Sequence, residues 1–177
     1  MKKILFCVFC IMLFPAVSYS ADTGKYYTRC NIWYEDPARI YSTNYHVGTI
    51  IPAGTAVDVV GVSERGGIMF NDDNGIQYTM TQVSKHSRIP FSRFFDRYFS
   101  ESYPVELKKL SRAEEDAVKG GYIETGMSKD AVIASYGWPP THETPGPEAD
   151  IWKYWYNRFV TKLIYFGKDD KVVRIQE

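Results

Sequence analysis

The stretch that decides the fold is Gly126-Met127-Ser128-Lys129-Asp130-Ala131-Val132-Ile133-Ala134-Ser135-Tyr136-Gly137-Trp138-Pro139. Ser128 is a favourable N-cap residue, and Asp130 in the first turn suits the positive end of a helix dipole. Gly137 ends the periodic segment, as glycine commonly does at helix C-termini. The stretch therefore predicts a short helix from Ser128 to Tyr136.

Three strand-like runs follow this helix, at residues 151–158, 161–166 and 171–175. The second and third are separated by Gly167-Lys168-Asp169-Asp170, a turn sequence. Alternation along residues 151–158 places Trp152, Tyr154, Tyr156 and Arg158 on one face. The pattern predicts a three-stranded antiparallel sheet.

A second helix is predicted before Gly126. Ser111 and Glu114 have the spacing of a capping box, and the helix should run to Val118. Gly120 and Gly121 should end it. The order of the C-terminal half is therefore helix, helix, then three strands.

These C-terminal motifs resemble the BamE-like family, also called SmpA/OmlA, over about residues 110–176. The motifs are Gly126-Met127-Ser128 with Val132, Tyr136-Gly137-Trp138-Pro139, Trp152-Lys153-Tyr154, Leu163-Ile164-Tyr165-Phe166 and Lys171-Val172-Val173. The resemblance implies an ααβββ unit that binds protein partners in the outer-membrane assembly machinery. The lipidation cysteine of that family has no counterpart here, so we expect no direct lipid anchor.

The N-terminal half has the pattern of a β domain. Five strand-like runs, separated by turn signals, occupy residues 26–34, 39–42, 56–62, 68–70 and 75–80. Asn74-Gly75 is a strong hairpin signal. The turn at residues 51–55 and the valine-rich strand after it resemble bacterial SH3-like domains. We therefore expect an SH3-like β barrel.

An amphipathic helix at residues 91–99 follows the β runs, and its sequence leaves open which half it packs on. The predicted fold class is α+β, with an SH3-like β domain at residues 21–100 and a BamE-like domain at residues 101–177. We predict the boundary near residues 100–104.

Residues 1–20 have the layout of a cleavable signal peptide. Lys2 and Lys3 precede an apolar run at residues 4–14, and small residues precede Ala21. The apolar run is shorter than the roughly 20 residues of a membrane-spanning helix. The sequence thus predicts export to the periplasm.

Composition narrows the classes of partner. The chain has 21 basic and 21 acidic residues, and loss of Lys2 and Lys3 with the leader would leave a net charge of −2. This balance gives no electrostatic reason to expect nucleic acid as a partner. Cys30 would be the one remaining cysteine, so an intramolecular disulfide is not expected.

Two segments of the C-terminal half carry the candidate partner-binding residues. The first is the proline-rich loop at residues 138–147, and the second is the end of the strand at residues 151–158. The candidates are Trp138, Pro139, Pro140, His142, Trp155, Asn157 and Arg158. Tryptophan and arginine are enriched at binding hot spots. Two alternatives are that Trp138 packs in the core and that Arg158 forms an internal salt bridge.

The β half offers a second set of binding residues. Trp33, Tyr34, Tyr41 and Tyr45 could line an aromatic groove of the kind that binds extended peptides. In a small domain these residues could instead form the core.

Catalytic chemistry has little support in the sequence. His46, His86 and His142 lack a partner at zinc-ligand spacing, so no metal or cofactor is expected. Cys30 lies in a strand-like run, where a lone cysteine commonly fills apolar space. The favoured interpretation is a non-catalytic envelope protein that binds a protein partner in outer-membrane assembly or maintenance. The alternatives are a cell-wall module that binds peptidoglycan or a peptide, and a secreted enzyme or enzyme inhibitor.

Overall fold

A computed structural model describes residues 23–43 and 45–177, and the predicted leader at residues 1–20 lies outside this range. The β half contains β1 (Gly24–Thr28), β2 (Ile32–Tyr34), β3 (Ile40–Tyr41), β4 (Thr49–Ile51), β5 (Ala56–Ser63), β6 (Gly67–Asn71), β7 (Gln77–Thr81), α1 (Phe91–Tyr98) and β8 (Phe99–Ser100). The C-terminal half contains a 3₁₀ turn (Leu107–Lys109), α2 (Arg112–Gly120), α3 (Lys129–Tyr136), β9 (Ile151–Trp155), β10 (Thr161–Phe166) and β11 (Val172–Gln176). None of the described helices is long and apolar enough to cross a bilayer.

The described strands form three sheets. A six-stranded sheet has the order β3-β7-β6-β5-β1-β8, in which only β3 and β7 are parallel neighbours. β2 and β4 form a separate antiparallel pair. β11, β10 and β9 form an antiparallel sheet in that order. The α+β class and the three-stranded C-terminal sheet are therefore confirmed.

The predicted strand at residues 26–34 is wrong, because it is divided between β1 and β2. The N–H of Arg29 donates to the carbonyl of Tyr98, and the N–H of Asn31 donates to the carbonyl of Ala134. These bonds turn the backbone away from β5, the neighbour of β1. Tertiary hydrogen bonds to distant residues override the local strand preference here.

The hairpin signal at Asn74-Gly75 is confirmed. Asp72 Oδ1 accepts hydrogen bonds from the N–H groups of Asn74 and Ile76. Gly75 has φ +78°, in the left-handed region that suits glycine. This turn joins β6 to β7 and sets their register.

Helix α1 packs in the core of the β half. Its buried side chains have helical spacing and belong to one cluster with those of the six-stranded sheet: Phe91, Phe94, Phe95 and Tyr98. The structure thus answers the question that the sequence left open about this helix.

The helices of the C-terminal half begin and end near the predicted residues. Ser111 and Glu114 form the predicted capping box of α2, which ends at Gly120 rather than at Val118. Ser128 caps α3, and Gly137 follows its last residue. The side chains of Trp152 and Tyr154, which alternation placed on one face of the sheet, are fully buried.

The first predicted strand of the C-terminal half, at residues 151–158, is shorter than predicted. β9 ends at Trp155, and residues 156–159 form the turn to β10. The side-chain oxygen of Asn157 accepts hydrogen bonds from the N–H groups of Phe159 and Val160. Asparagine competes with strand pairing through such local bonds. Asn157 and Arg158 therefore lie in a hairpin turn, not on a strand face.

Asn31 joins the two halves of the chain through a buried polar contact. Its Nδ2 donates to the carbonyl of Val118 at 2.7 Å and to that of Ser135 at 3.2 Å. Its Oδ1 accepts from the N–H of Ala53 at 2.8 Å. One side chain of the β half thus binds both helices of the C-terminal half.

His46 makes a second buried contact between the halves. Its Nε2 lies 2.8 Å from the carbonyl oxygen of Tyr136, and its ring stacks on that of Tyr136 at 3.9 Å. Burial lowers the pKa of His46 to about 4, against hydrogen bonds with Tyr136 and Trp155 that raise it. The imidazole is therefore neutral at pH 7.

Candidate functional site

An open cleft of about 370 Å³ lies on the β half and contains the predicted aromatic groove. Its lining includes Trp33, Tyr34, Tyr41 and Tyr45, the four aromatic residues singled out in the sequence. Trp33 and Tyr34 are half-buried, whereas Tyr41 and Tyr45 are 53% and 41% exposed. We call this cleft the aromatic groove. Two of its rings are accessible to a ligand.

The groove is held by contacts with the C-terminal half. The ring of Trp33 packs edge-on against His46 at 5.6 Å and against Tyr136 at 6.4 Å. The backbone of Tyr45 pairs with that of Trp155 in β9 through an isolated parallel bridge. The position of the groove therefore depends on the packing of the two halves.

Charged groups line one part of the aromatic groove. Asp36 Oδ2 accepts a hydrogen bond from Arg39 Nε at 2.8 Å, and Asp36 Oδ1 accepts one from the N–H of Ala38. Both bonds lower the pKa of Asp36, and the bond from Arg39 has the larger effect. Glu35 also lines the groove and forms no ion pair with any described residue. One carboxylate of the groove is therefore left without an internal cation.

A second cavity, of about 210 Å³, adjoins the groove where the two halves meet. We call it the junction cavity, and its lining residues are Thr43, Tyr45, His86, Pro140, His142, Trp155 and Arg158. Thr43 and Tyr45 line both the junction cavity and the aromatic groove. Four of the seven residues proposed from the sequence as partner-binding lie together here.

The proline-rich loop is fixed against the β half beside the junction cavity. The N–H of Arg88 donates to Thr141 Oγ1 at 2.9 Å. His142 Nδ1 donates to the carbonyl of His86 at 3.1 Å, and the two imidazole rings lie 4.7 Å apart. These bonds bring His86 and His142 to one wall.

Arg158 carries the positive charge among the described residues that line the junction cavity. Burial lowers the pKa of His86, and electrostatic interactions with His142, Lys85 and Arg88 lower it further. The lining includes Arg158 but no carboxylate. Glu143 lies outside the lining, 3.8 Å from His142 Nε2 and 3.0 Å from the ammonium of Lys153.

Two polar groups of this cavity have no internal partner. The Nε1 of Trp155 is buried and has no hydrogen-bond partner among the described residues. Arg158 is exposed, and its guanidinium lies 4.5 Å from the centre of the Phe159 ring. Within the described part of the chain Arg158 forms no ion pair, so the internal salt bridge considered from the sequence is not seen.

The other three predicted residues lie outside both cavities. Trp138 is half-buried, with the guanidinium of Arg97 at 4.5 Å from its ring centre. Pro139 is buried beside it. Asn157 uses its side chain to close the β9–β10 turn. Trp138 therefore packs the loop onto α1, which agrees with its interpretation as a packing residue.

The structure also adds two residues that sequence reasoning did not assign to this site. Thr43 and His86 come from loops of the β half that have no periodic pattern. Their proximity to the proline-rich loop depends on long-range packing, which single-sequence patterns do not report. The only usable signal was that His86 is one of three histidines.

No cluster of three histidine, cysteine or acidic side chains has a metal-binding arrangement at residues 23–43 or 45–177. Cys30 is a free thiol, fully buried, and burial raises its pKa to about 12. Its position agrees with the interpretation as an apolar filler.

Comparison of the chain with family models, with curated proteins and with solved structures finds no significant match. The resemblances noted in the sequence therefore remain predictions.

Proposed function

We propose that this chain is a non-catalytic protein of the bacterial cell envelope that binds a partner protein through the aromatic groove and the junction cavity. On this proposal it is exported to the periplasm. It reaches the outer-membrane assembly or maintenance machinery through its own surface.

The observation that carries this proposal is the continuity of the two cavities. Thr43 and Tyr45 line both, so an aromatic cleft on one half adjoins a cavity that Arg158 and two histidines line where the halves meet. Recognition of extended peptides commonly combines an aromatic surface with a few placed polar groups. The cleft has both features.

The absence of catalysis in the proposal rests on particular side chains. The one described thiol, that of Cys30, is buried, and its raised pKa keeps it protonated at neutral pH. A cysteine nucleophile needs an accessible thiolate. The rings of His86 and His142 lie 4.7 Å apart, and among the described residues neither imidazole is hydrogen-bonded to a hydroxyl or thiol that could act as a nucleophile.

We extend the proposal to the family level for both halves. The ααβββ order of the C-terminal half and the capped starts of α2 and α3 support a BamE-like unit. The short antiparallel strands of the β half, from β5 to β7, support an SH3-like unit.

Site-specific photocrosslinking in intact cells tests the proposed function. A photoreactive amino acid is placed at Tyr41 in the groove, and at Val173 on β11 as a control. Both side chains are exposed, at 53% and 56%. We expect one envelope protein, identified by mass spectrometry, to be captured from position 41 only. The capture should be lost in a Tyr45→Ala background.

Two results would overturn this proposal. The first is equal capture of proteins from positions 41 and 173, which would mean that the groove has no special role. The second is co-sedimentation with purified peptidoglycan that Tyr45→Ala abolishes, without any protein captured. That second result would instead favour the cell-wall module.

A further inference from the structure

The two connected cavities differ in charge. The aromatic groove is lined by Glu35 and Asp36 against the single cation Arg39. The junction cavity is lined by Arg158 and two histidines, without a carboxylate. A ligand that spans both would therefore meet negative charge in one and positive charge in the other.

Within each cavity, part of the charge has no internal partner. Asp36 is already bound to Arg39, but Glu35 has no ion pair among the described residues. Arg158 likewise has none, and the buried Nε1 of Trp155 has no acceptor in the described part of the chain. Buried polar groups normally have hydrogen-bond partners. The guanidinium of Arg158 belongs to an exposed side chain, so a ligand in the cavity can pair with it.

The shape of the connection favours a chain-like ligand. Tyr45 lines both cavities and is 41% exposed, so a segment can pass over its ring from one to the other. The exposed ring of Tyr41 continues this surface. Aromatic surfaces of this kind suit an extended peptide, whose side chains enter flanking pockets.

We infer that the cleft binds an extended peptide segment of the partner, with an acidic side chain in the junction cavity and a basic side chain beside Glu35. This inference rests on the proposed function, because it names the chemistry of the partner that the same cleft binds. The acidic side chain accepts hydrogen bonds from the guanidinium of Arg158. Charge-assisted bonds of this type are stronger than neutral ones.

Fluorescence anisotropy with defined peptides tests the inference. The probes are fluorescein-labelled, C-terminally amidated, proline-rich octapeptides with lysine near one end and glutamate near the other. The lysine–glutamate pair is made in both directions along the peptide. Matched peptides carry glutamine or lysine in place of the glutamate. One further peptide has glutamine together with a free C-terminal carboxylate.

We expect the glutamate peptide to bind wild-type protein about tenfold more tightly than the glutamine peptide, as roughly 1.4 kcal/mol corresponds to tenfold. Arg158→Gln should remove this difference. Arg158→Glu should reverse it, so that the peptide with lysine in place of glutamate binds best. The control Arg174→Gln removes an arginine that also lies over an aromatic ring, at 3.7 Å from the Tyr165 centre, but lines neither cavity. It should bind as wild type does.

Three results would overturn the inference. Equal affinity for the glutamate and glutamine peptides would mean that the junction cavity does not bind an acidic side chain selectively. Preference for the peptide with the free carboxylate would mean that the cavity takes a chain terminus. Lack of binding to every peptide would remove the extended segment as the ligand.

These outcomes are separate from those of the proposed function. Photocrosslinking at Tyr41 reports whether a protein occupies the groove, whatever its charge. Specific capture together with equal peptide affinities would keep the proposed function and reject the inference. Loss of specific capture would reject the proposed function itself.

Discussion

The carboxylate of Glu114 in α2 binds Ser128, the N-cap of the following helix. Its Oε1 accepts hydrogen bonds from the N–H of Ser128 at 2.8 Å and from its hydroxyl at 2.7 Å. Its Oε2 meanwhile accepts from the N–H and the hydroxyl of Ser111, the N-cap of α2. Burial raises the pKa of Glu114, but these bonds outweigh it and lower the value to about 2. One charge therefore holds the starts of two helices.

Replacement of Glu114 should destabilise the fold in a pH-dependent way. We expect Glu114→Gln to lower the free energy of unfolding at pH 7 by about 1–3 kcal/mol, because the hydrogen bonds to a charged group are lost. The folded pKa is below the unfolded one, so the stabilisation is fully present above about pH 4.5. It is lost as the pH falls from 4.5 towards 2.

Urea unfolding at several pH values checks this prediction. The control Glu115→Gln removes an exposed ion pair with Lys119, at 3.6 Å, and should cost under about 1 kcal/mol. A Glu114→Gln penalty that stays constant down to pH 2.5 would contradict the assigned role.

Loss of the Asn31 side chain should destabilise the whole chain. Asn31→Ala leaves the N–H of Ala53 without its partner, while the carbonyls of Val118 and Ser135 lose one bond each and keep those from the N–H of Gly121 and from Nε1 of Trp33. The unsatisfied N–H costs about 1–3 kcal/mol and the two other lost hydrogen bonds about 1 kcal/mol each, so we expect a loss of roughly 3 kcal/mol. Chemical denaturation measures it, and Gln77→Ala on the exposed face of β7 is the matched amide control. A loss no greater than that of the control would refute the bridging role.

His46 should make the protein less stable in mild acid. Its pKa is about 4 in the folded chain and about 6.5 in the unfolded chain. The unfolded state therefore binds more protons between these values, and the free energy of unfolding falls as the pH drops from 6.5 to 4. The full loss is about 3 kcal/mol.

The slope of the free energy of unfolding against pH, measured between pH 7 and pH 5, separates this effect from that of the carboxylates. We expect His46→Gln to flatten the slope, although it lowers stability overall. If the His46→Gln and wild-type profiles run parallel, protonation of His46 does not control acid stability.

Trp138 should matter for stability rather than for binding. It packs against Arg97 of α1 and is only half-buried, so Trp138→Ala should cost about 2 kcal/mol, less than a fully buried tryptophan. For a chain of this size that corresponds to a fall in Tm of roughly 4–8 °C. Phe159→Ala is the control, because Phe159 also lies under an arginine but is 78% exposed.

Differential scanning calorimetry gives both Tm values, and crosslinking from position 41 gives the binding. A Trp138→Ala protein with wild-type Tm and no partner capture would show that Trp138 is a contact residue after all.

Local signals predicted the elements whose ends are set by nearby residues. The caps at Ser111 and Ser128 and the turn at Asn74-Gly75 depend on bonds within a few positions. The strand at residues 26–34 was predicted as continuous because its interruption depends on Tyr98 and Ala134, which are distant in sequence. Hydrogen bonds between residues far apart in the sequence leave no local pattern from which they could be predicted.

The candidate site likewise contains some residues that local patterns predicted and others that they could not. Aromatic character alone was enough to group Trp33, Tyr34, Tyr41 and Tyr45. His86 and Thr43 could not be assigned, since only tertiary packing brings them to Pro140 and Trp155. Asn157 was predicted to lie on a strand because it follows an aromatic run. Its side chain instead closes the turn after β9.

The contact between Asn31 and the two C-terminal helices has a consequence for how such a chain could be inherited. A β half transferred to another gene without its neighbour would carry an amide whose Nδ2 lacks its two acceptors, and a C-terminal half would lose the side-chain donors to the carbonyl of Ser135. Transfer of either half as an independent module is therefore unfavourable. Any ancestral fusion of the two halves would have become difficult to reverse once asparagine occupied position 31.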